Sequence, residues 1–282
     1  MPQVAILMMC YNGTAFLPDL VASLQRQTYP NWLLYVQDDL STDDTPHYLR
    51  QLSAQDARII LLENKRKLGA MHGFMDLLTR VEAQYYMFCD QDDVWLPNKI
   101  EVTLQRMLTA EQQEGEGVPL VVHTDLTVVD RGLNEMAPSF WQMSRIAPAL
   151  LRTFDEQAGH NLCTGCTMLL NRAAREVSKK YSCHTLMHDV WVALCVLKHN
   201  GHIYEIDQPT ILYRQHGNNT LGAHDIRTHY VTKRLKQLKK VWKENKANYV
   251  MLRDAGYGSW WKYVYYKLRY FCKYALAVNH KS

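Results

Sequence analysis

Three short clusters hold the groups that could do chemistry: Tyr11-Asn12-Gly13, Asp38-Asp39-Leu40-Ser41-Thr42-Asp43-Asp44 and Asp90-Gln91-Asp92-Asp93. The last places three carboxylates within four residues. Like charges a few ångströms apart raise one another's pKa, so such a cluster must be separated, protonated or neutralised by a cation. Hard oxygen donors select Mg²⁺ or Mn²⁺ over softer metals. A magnesium-like ion held by one or two carboxylates completes its shell with waters and phosphate oxygens, which points to a phosphorylated substrate. The competing explanation is helix capping, since Asp and Ser just before an apolar periodic segment are common N-caps. Capping accounts for Ser41, Asp43 and Asp93, but it leaves Asp90 and Asp92 without a purpose. A calcium loop of the EF-hand type lacks its glycine and its distal glutamate here.

These clusters follow strands. Val4–Met9, Trp32–Gln37, Arg58–Glu63 and Tyr85–Cys89 are short and nearly continuous in apolar character, as strands buried on both faces should be. Between them Ala15–Gln27, Asp43–Ala54 and Leu68–Val81 carry apolar residues at helical spacing. Alternation of this kind implies a parallel sheet with right-handed crossovers, and ligands sit beyond the carboxyl ends of such strands. Further on, Leu120–Val129 and Thr164–Leu170 read as strands, Arg172–Tyr181 and Asp189–Asn200 as helices, and His202–Ile206 and Thr210–Arg214 as short edge strands, while 137–157 is too irregular to assign.

The 282 residues suffice for one large α/β unit, or for a smaller one with an appendage. With 47% hydrophobic and 21% charged residues, a disordered or low-complexity chain is excluded. No apolar run reaches the length of a spanning helix. The start of the chain reads as a first strand rather than an export signal. Seven cysteines are then expected to be reduced thiols, and a cytoplasmic location is expected. The net charge of +4 conceals a division, because residues 1–224 carry −7 and residues 225–282 carry +11.

The strand-end clusters, together with Gln27-Thr28-Tyr29-Pro30-Asn31-Trp32 and the run Cys89-Asp90-Gln91-Asp92-Asp93-Val94-Trp95-Leu96-Pro97-Asn98-Lys99-Ile100, resemble family 2 glycosyltransferases of the GT-A fold. The rhamnosyltransferase-like branch of bacterial surface-polysaccharide synthesis is the nearest in pattern. The likeness resumes at Thr164-Gly165-Cys166-Thr167, His188-Asp189-Val190-Trp191 and Tyr213-Arg214-Gln215-His216-Gly217-Asn218-Asn219, covering about residues 3–222. It implies an α/β, Rossmann-like, mostly parallel sheet with helices on both faces over 1–224, followed by a basic, aromatic-rich helical extension over 225–282.

It also implies roles. Tyr11 and Asp39 would hold the nucleotide base, with Asn12 shaping the turn. Asp90 would face the donor ribose, and Asp92 would bind Mn²⁺ or Mg²⁺ with Asp93 supporting it. His216 would sit near the metal or diphosphate, and Asp189 would be the general base of an inverting transfer from a nucleoside-diphosphate sugar to a lipid-linked or polysaccharide acceptor. Leu40 stands where the family often has glycine, and His188 where it often has Glu. Lys65-Arg66-Lys67 could steer the diphosphate, although a solvated loop is the favoured reading. A scaffold protein that kept the fold, or a nucleotidyltransferase, are the alternatives; a scaffold has no need of Asp90–Asp93 and Asp189, and Tyr11-Asn12-Gly13-Thr14 is not a glycine-rich phosphate loop.

Cys163 and Cys166 have a zinc spacing, with His160, Cys183 and His184 nearby, but they run into an apolar strand where thiols serve as core residues. In the tail, Tyr257–Tyr274 holds nine aromatics interleaved with Lys262, Lys267, Arg269 and Lys273. Amphipathic rings beside cations suit an anionic bilayer surface at the inner face of the membrane, with packing of the aromatics on the body or on a second subunit as the alternative, whereas a nucleic-acid partner is not expected without a recognised module.

Overall fold

The computed structural model describes residues 3–161, 163–216 and 238–279. The predicted features at Gly217-Asn218-Asn219 and Leu235 lie outside the described residues. The chain begins with the expected alternation: β1 (Val4–Cys10), α1 (Leu17–Gln25), β2 (Trp32–Asp38), α2 (Thr45–Gln55), β3 (Ile59–Leu62), α3 (Gly69–Arg80) and β4 (Tyr85–Cys89). Next come β5 (Val94–Trp95), α4 (Lys99–Glu114), β6 (Leu120–Val129), β7 (Glu135–Ala137), α5 (Phe140–Met143) and α6 (Phe154–Gly159). The remaining elements are β8 (Leu169–Asn171), α7 (Arg172–Ser178), α8 (His188–Lys198), β9 (His202–Arg214), α9 (Leu238–Asp254) and α10 (Trp260–Asn279).

The sheet runs β3-β2-β1-β4-β8-β6-β9-β5, with β7 on β6. Its first four strands are parallel, and β6 and β9 form a second long parallel pair; the short β8 joins the halves antiparallel to both neighbours. Register aligns Cys10 with Asp38 and Met8 with Cys89, so the three polar clusters leave the sheet on one rim. Side chains alternate across β1. Val4, Ile6 and Met8 pack towards Leu17, Leu20, Ile100 and Leu104, while Ala5, Leu7 and Met9 pack towards Phe74, Leu77 and Val192. Both faces are covered, which is why the strand reads as one apolar run.

Two expectations are corrected. The strand predicted over Thr164–Leu170 exists only at its end, because Gly165–Thr167 forms a 3₁₀ turn. The two edge strands predicted at 202–206 and 210–214 are one strand, β9, lying inside the sheet between β6 and β5. Asp207 and Pro209 interrupt the apolar pattern, but β6 accommodates them with a register shift at Asp125. This continuity matters because β9 pairs through Ile211 and Leu212 with β5, and so brings Arg214 and His216 back to Asp92 and Asp93.

The C-terminal helices share the main core. Met251, Leu252, Ala255, Tyr257 and Tyr263 belong to the same buried cluster as Leu7, Phe88 and Trp191. Helix α10 lies against α6 at close range: a Cβ on Gly159 would fall 2.9 Å from the backbone nitrogen of Lys267 and 2.9 Å from the carbonyl carbon of Tyr266. Only glycine permits that approach. Gly159→Ala should therefore force α6 and α10 apart and cost about 1–3 kcal/mol, read as a lower urea midpoint.

Candidate active site

A cavity of about 500 Å³ opens at the rim where β1, β2 and β4 end, and seven of the eight predicted site residues line it: Tyr11, Asn12, Asp39, Asp90, Asp92, Asp189 and His216. The eighth, Asp93, is fully buried beside them. A second cavity, about 390 Å³, surrounds Arg152 and Glu205, whose charges already satisfy each other at 2.5 Å.

The turn after β1 is built by side chains. Gln91 grips the backbone of Tyr11, accepting from its N–H at 2.9 Å and donating to its carbonyl at 2.9 Å. Asn12 adopts a left-handed φ of 49°, its Oδ1 accepts from Thr42 N–H at 2.8 Å, and its own N–H donates to Ser41 Oγ at 2.9 Å. Asn12 thus does shape the turn. Leu40 has φ 58° and is 48% exposed, so the residue at the family's frequent glycine position keeps a glycine-like conformation with a side chain attached.

Asp39 is buried and accepts from Leu68 N–H at 2.6 Å, Gly69 N–H at 2.8 Å and Asn64 Nδ2 at 3.1 Å, tying β2 to the start of α3. An ionised carboxylate offers about four acceptor positions, so these three bonds do not exhaust it. Lys67 is exposed in the loop before α3, as expected, and there its Nζ lies 3.5 Å from the centroid of the Tyr11 ring and it lines the cavity. Asp43 belongs to the turn before α2, whose N-cap position is Asp44; Asp43 accepts from Thr45 N–H at 3.0 Å and from Thr14 Oγ1 at 2.6 Å, and it does not line the cavity. Burial works against its charge, but the bonds from Thr14 and Thr45 prevail and hold its pKa at about 2.

The acidic cluster is where the electrostatics are costly. Burial first, and then the charges of Asp92 and Asp189, pushes Asp90 well above the ordinary carboxylate range. Asp93 is raised by burial and by Asp92 and Asp90. Its Oδ1 accepts from Arg214 N–H at 3.1 Å, while its buried Oδ2 has no hydrogen-bond partner among the described residues. His216 Nε2 stands 2.7 Å from Asp92 Oδ2, and its ring stacks on Phe16 at 4.6 Å. Arg214 braces the assembly, donating through Nε to the Asp92 carbonyl at 2.9 Å and pairing with Asp19 at 2.8 Å.

The sequence reading gave no role to Lys99. It is completely buried, its Nζ is 4.7 Å from the Trp95 ring centroid, and burial lowers its pKa to about 8 against the opposing pull of Cys166, Cys89 and Asp93. Its place ten residues after Cys89, in a segment that otherwise reads as a helix start, carries no sign of burial in the sequence.

Ligand atoms of Asp90, Asp93 and Cys166 also lie within 4.8 Å of one another. Burial keeps the Cys166 thiol protonated, and neither Cys166 nor Asp93 lines the cavity. The donors that do face it are Asp92 and His216, 2.7 Å apart, with Asp90 in the same lining; carboxylate and imidazole are donors that a divalent cation accepts. Cys163 and Cys166 are core residues, and Cys183 is exposed, so the zinc spacing does not assemble.

Asp189, also in the lining, lies in the first turn of α8. Its Oδ2 accepts from Gly165 N–H at 3.2 Å and its Oδ1 from Val190 N–H at 2.6 Å. Burial raises it to about 6, with those bonds pulling the other way. A carboxylate of this affinity is suited to take a proton near neutral pH.

The family model described as "Glycosyl transferase family 2" matches residues 5–177. The chain belongs to family 2 of the glycosyltransferases. Among curated relatives, the Escherichia coli UDP-Glc:alpha-D-GlcNAc-diphosphoundecaprenol beta-1,3-glucosyltransferase WfgD is 36% identical over 105 residues, 37% of this chain and 41% of that protein. The Shigella flexneri dTDP-rhamnosyl transferase RfbG is 26% identical over 77% of this chain and 74% of its own length. The chain thus matches under half the length of WfgD, and of the Bacillus subtilis TuaG at 42%. Solved structures share the GT-A fold. Staphylococcus aureus TarS 1–349 with UDP-GlcNAc superposes at a TM-score of 0.55 with 14% identity, covering 77% of this chain and 60% of that one. The Pyrobaculum calidifontis mannosyltransferase PcManGT, with GDP-Man and Mn²⁺, gives 0.54 with 18% identity, covering 82% and 60%.

The burial of Asp189 has a stability consequence. Its folded pKa of about 6 exceeds the ordinary 3.8, so above pH 6 the native state carries a charge that the unfolded chain holds more cheaply. Stability is therefore lost as pH rises from about 4 to 6, by up to about 3 kcal/mol. Asp189→Asn should raise the melting temperature at pH 8, and the difference should vanish below pH 4.

Proposed function

We propose that this glycosyltransferase is an inverting, metal-dependent enzyme. It moves a hexose or deoxyhexose from a nucleoside-diphosphate donor to a hydroxyl of a growing surface glycan, either lipid-linked or polysaccharide. The observation that carries the reading is the placement of Asp189 in the same cavity as the Asp92–His216 pair, at the rim where the strands end.

Asp189 removes the acceptor proton as the acceptor oxygen bonds to the anomeric carbon, while the bond from that carbon to the diphosphate oxygen breaks on the opposite face. One carboxylate then suffices, unlike the pair used in glycoside hydrolysis. The ring of Tyr11, 41% exposed with Lys67 Nζ 3.5 Å from its centroid, would supply stacking surface for the base, and Asp39 a hydrogen-bond acceptor. Asp90 faces the ribose. Asp92 and His216 would hold Mn²⁺ or Mg²⁺, which supplies a Lewis acid for the departing diphosphate. Asp93, anchored by Arg214, and the buried Lys99 set the field around those ligands. The named donors and acceptor of the relatives, UDP-Glc, dTDP-rhamnose and a diphosphoundecaprenol-linked sugar, are the first candidates.

Diphosphate release should be followed over UDP-glucose, UDP-N-acetylglucosamine, GDP-mannose and dTDP-rhamnose with Mn²⁺ or Mg²⁺. Asp92→Asn should abolish turnover and weaken donor binding. Asp189→Asn should cost a factor of about 10³ or more in kcat with donor affinity retained, and the wild-type rate should fall below pH about 6 as Asp189 takes a proton. Retention of near-normal turnover by Asp189→Asn would remove the base assignment.

The reading extends to the inner membrane surface. Helix α10 turns polar and aromatic anchors inward: Tyr263 and Tyr270 are buried, Lys267 Nζ donates to Asn245 at 2.7 Å, and Lys273 pairs with Glu156 at 2.5 Å. Outward it presents Trp261, Tyr265, Leu268 and Cys272, one stripe at spacings of three and four, with Trp261 79% exposed. The inner face of α10 packs on the body, and the exposed stripe is what supports the membrane reading. Among the described residues no helix is long and apolar enough to cross a membrane. A stripe of this kind among excess cations suits adsorption to anionic lipid. The full chain should float with phosphatidylglycerol vesicles and not with phosphatidylcholine alone. Trp261→Glu combined with Leu268→Glu should abolish flotation without lowering the melting temperature.

A further inference from the structure

The cavity is lined by a buried polar side chain that the proposed chemistry leaves unused. His188 directly precedes Asp189, lines the cavity and is 4% exposed. Its ring is clamped by Phe74 at 4.3 Å and by the edge of Phe88 at 4.5 Å. Neither Nδ1 nor Nε2 has a hydrogen-bond partner among the described residues.

This is an expensive arrangement for a residue that only packs. Buried polar groups are normally paired, and a phenyl ring would fill the space between two phenylalanines without stranding two nitrogens. The surroundings also preserve the ring's place. A Cβ on Gly165 would fall 2.4 Å from His188 Nε2, and the N–H of the same Gly165 donates to Asp189 Oδ2. The turn that seats the base therefore also makes room for the imidazole.

The chemistry of the missing partner follows from the state of the ring. Burial drives its pKa down to about 3, so it is neutral wherever Asp189 is ionised. A neutral imidazole presents one N–H donor and one lone pair, and it offers a phosphate no charge. A hydroxyl, itself both donor and acceptor, matches either nitrogen. We propose that His188 is a sugar-recognition residue whose unfilled hydrogen-bonding capacity is completed by a hydroxyl of the donor sugar or of the acceptor's terminal sugar, beside the hydroxyl that Asp189 activates. This rests on the glycosyltransferase reading of the cavity and assigns one further contact within it.

The test compares wild type with His188→Phe, His188→Met and His188→Asn as full chains. The donor is whichever of the four nucleotide sugars named above the wild type turns over, and the acceptor is a synthetic N-acetylglucosaminyl diphospholipid. Both apolar variants should melt at or above the wild-type temperature and bind UDP or dTDP unchanged, yet lose about tenfold or more in kcat/KM, with Asn recovering part of the loss. A loss that also appears in donor hydrolysis to water places the hydroxyl on the donor; a loss seen only with acceptor present places it on the acceptor. An apolar variant that folds and keeps kcat/KM within about twofold of wild type overturns the assignment. A wild type that releases diphosphate from none of the donors defeats the glycosyltransferase reading itself, and this assignment with it, which is a different result from an active enzyme indifferent to residue 188.

Discussion

The site is organised around a repulsion. Asp90, Asp92 and Asp93 leave a single strand end within four residues, and Asp189 approaches from α8, all where water is scarce. Such a set is poorly compatible with a diphosphate, which brings more negative charge. The protein supplies only partial relief. Arg214 donates one backbone N–H to Asp93 and spends its guanidinium on a carbonyl and on Asp19, while Lys99 is buried with a weakened hold on its proton. A divalent cation bound at Asp92 and His216 would reconcile carboxylates and diphosphate together, so cation and donor are expected to bind cooperatively.

What places these charges is the sheet rather than any loop. Parallel pairing of β1 with β2 and β4 delivers three strand ends to one rim, and Gln91 stitches two of them together through both backbone groups of Tyr11. The second parallel pair, β6 with β9, returns Arg214 and His216 to the same rim from far along the chain. Helix α8 closes the arrangement, and its buried residues belong to the same apolar cluster as Met251 and Leu252 of α9. The C-terminal helices therefore share a common core with the helix that carries Asp189.

The parts legible in the sequence were those with a strong local signature. The buried strands announced themselves as apolar runs, and the acidic ends of β2 and β4 marked the rim. His216 was legible only through its motif, since nothing local says that a histidine between Gln and Gly will meet a carboxylate 124 residues earlier. The inner half of β9 was misread because Asp207 and Pro209 look like an interruption, and only its pairing partner shows that a register shift absorbs them. Lys99 and His188 were hidden for a related reason: burial of a polar residue depends on what packs around it, and no periodicity records that. Helix α10 was legible only as an aromatic, basic helix, since its sequence is aromatic on every side and only its packing on the body distinguishes the inner tyrosines from the outer stripe.

The same residues that equip the site also weaken the fold. Asp189 and Asp93 hold charge where it is penalised, His188 and Lys99 are buried without hydrogen-bond partners among the described residues, and Asn12 and Leu40 occupy left-handed backbone conformations that cost of order 1 kcal/mol each. Such costs are tolerable only on a body with stability to spare. Two large apolar clusters, one on each face of the sheet and one of them completed by α9 and α10, supply it. Substitutions that ease these strains, an apolar ring for His188 or an amide for Asp189, should accordingly trade activity for stability, whereas loosening α10 from α6 should erode the reserve while leaving the chemical groups in place.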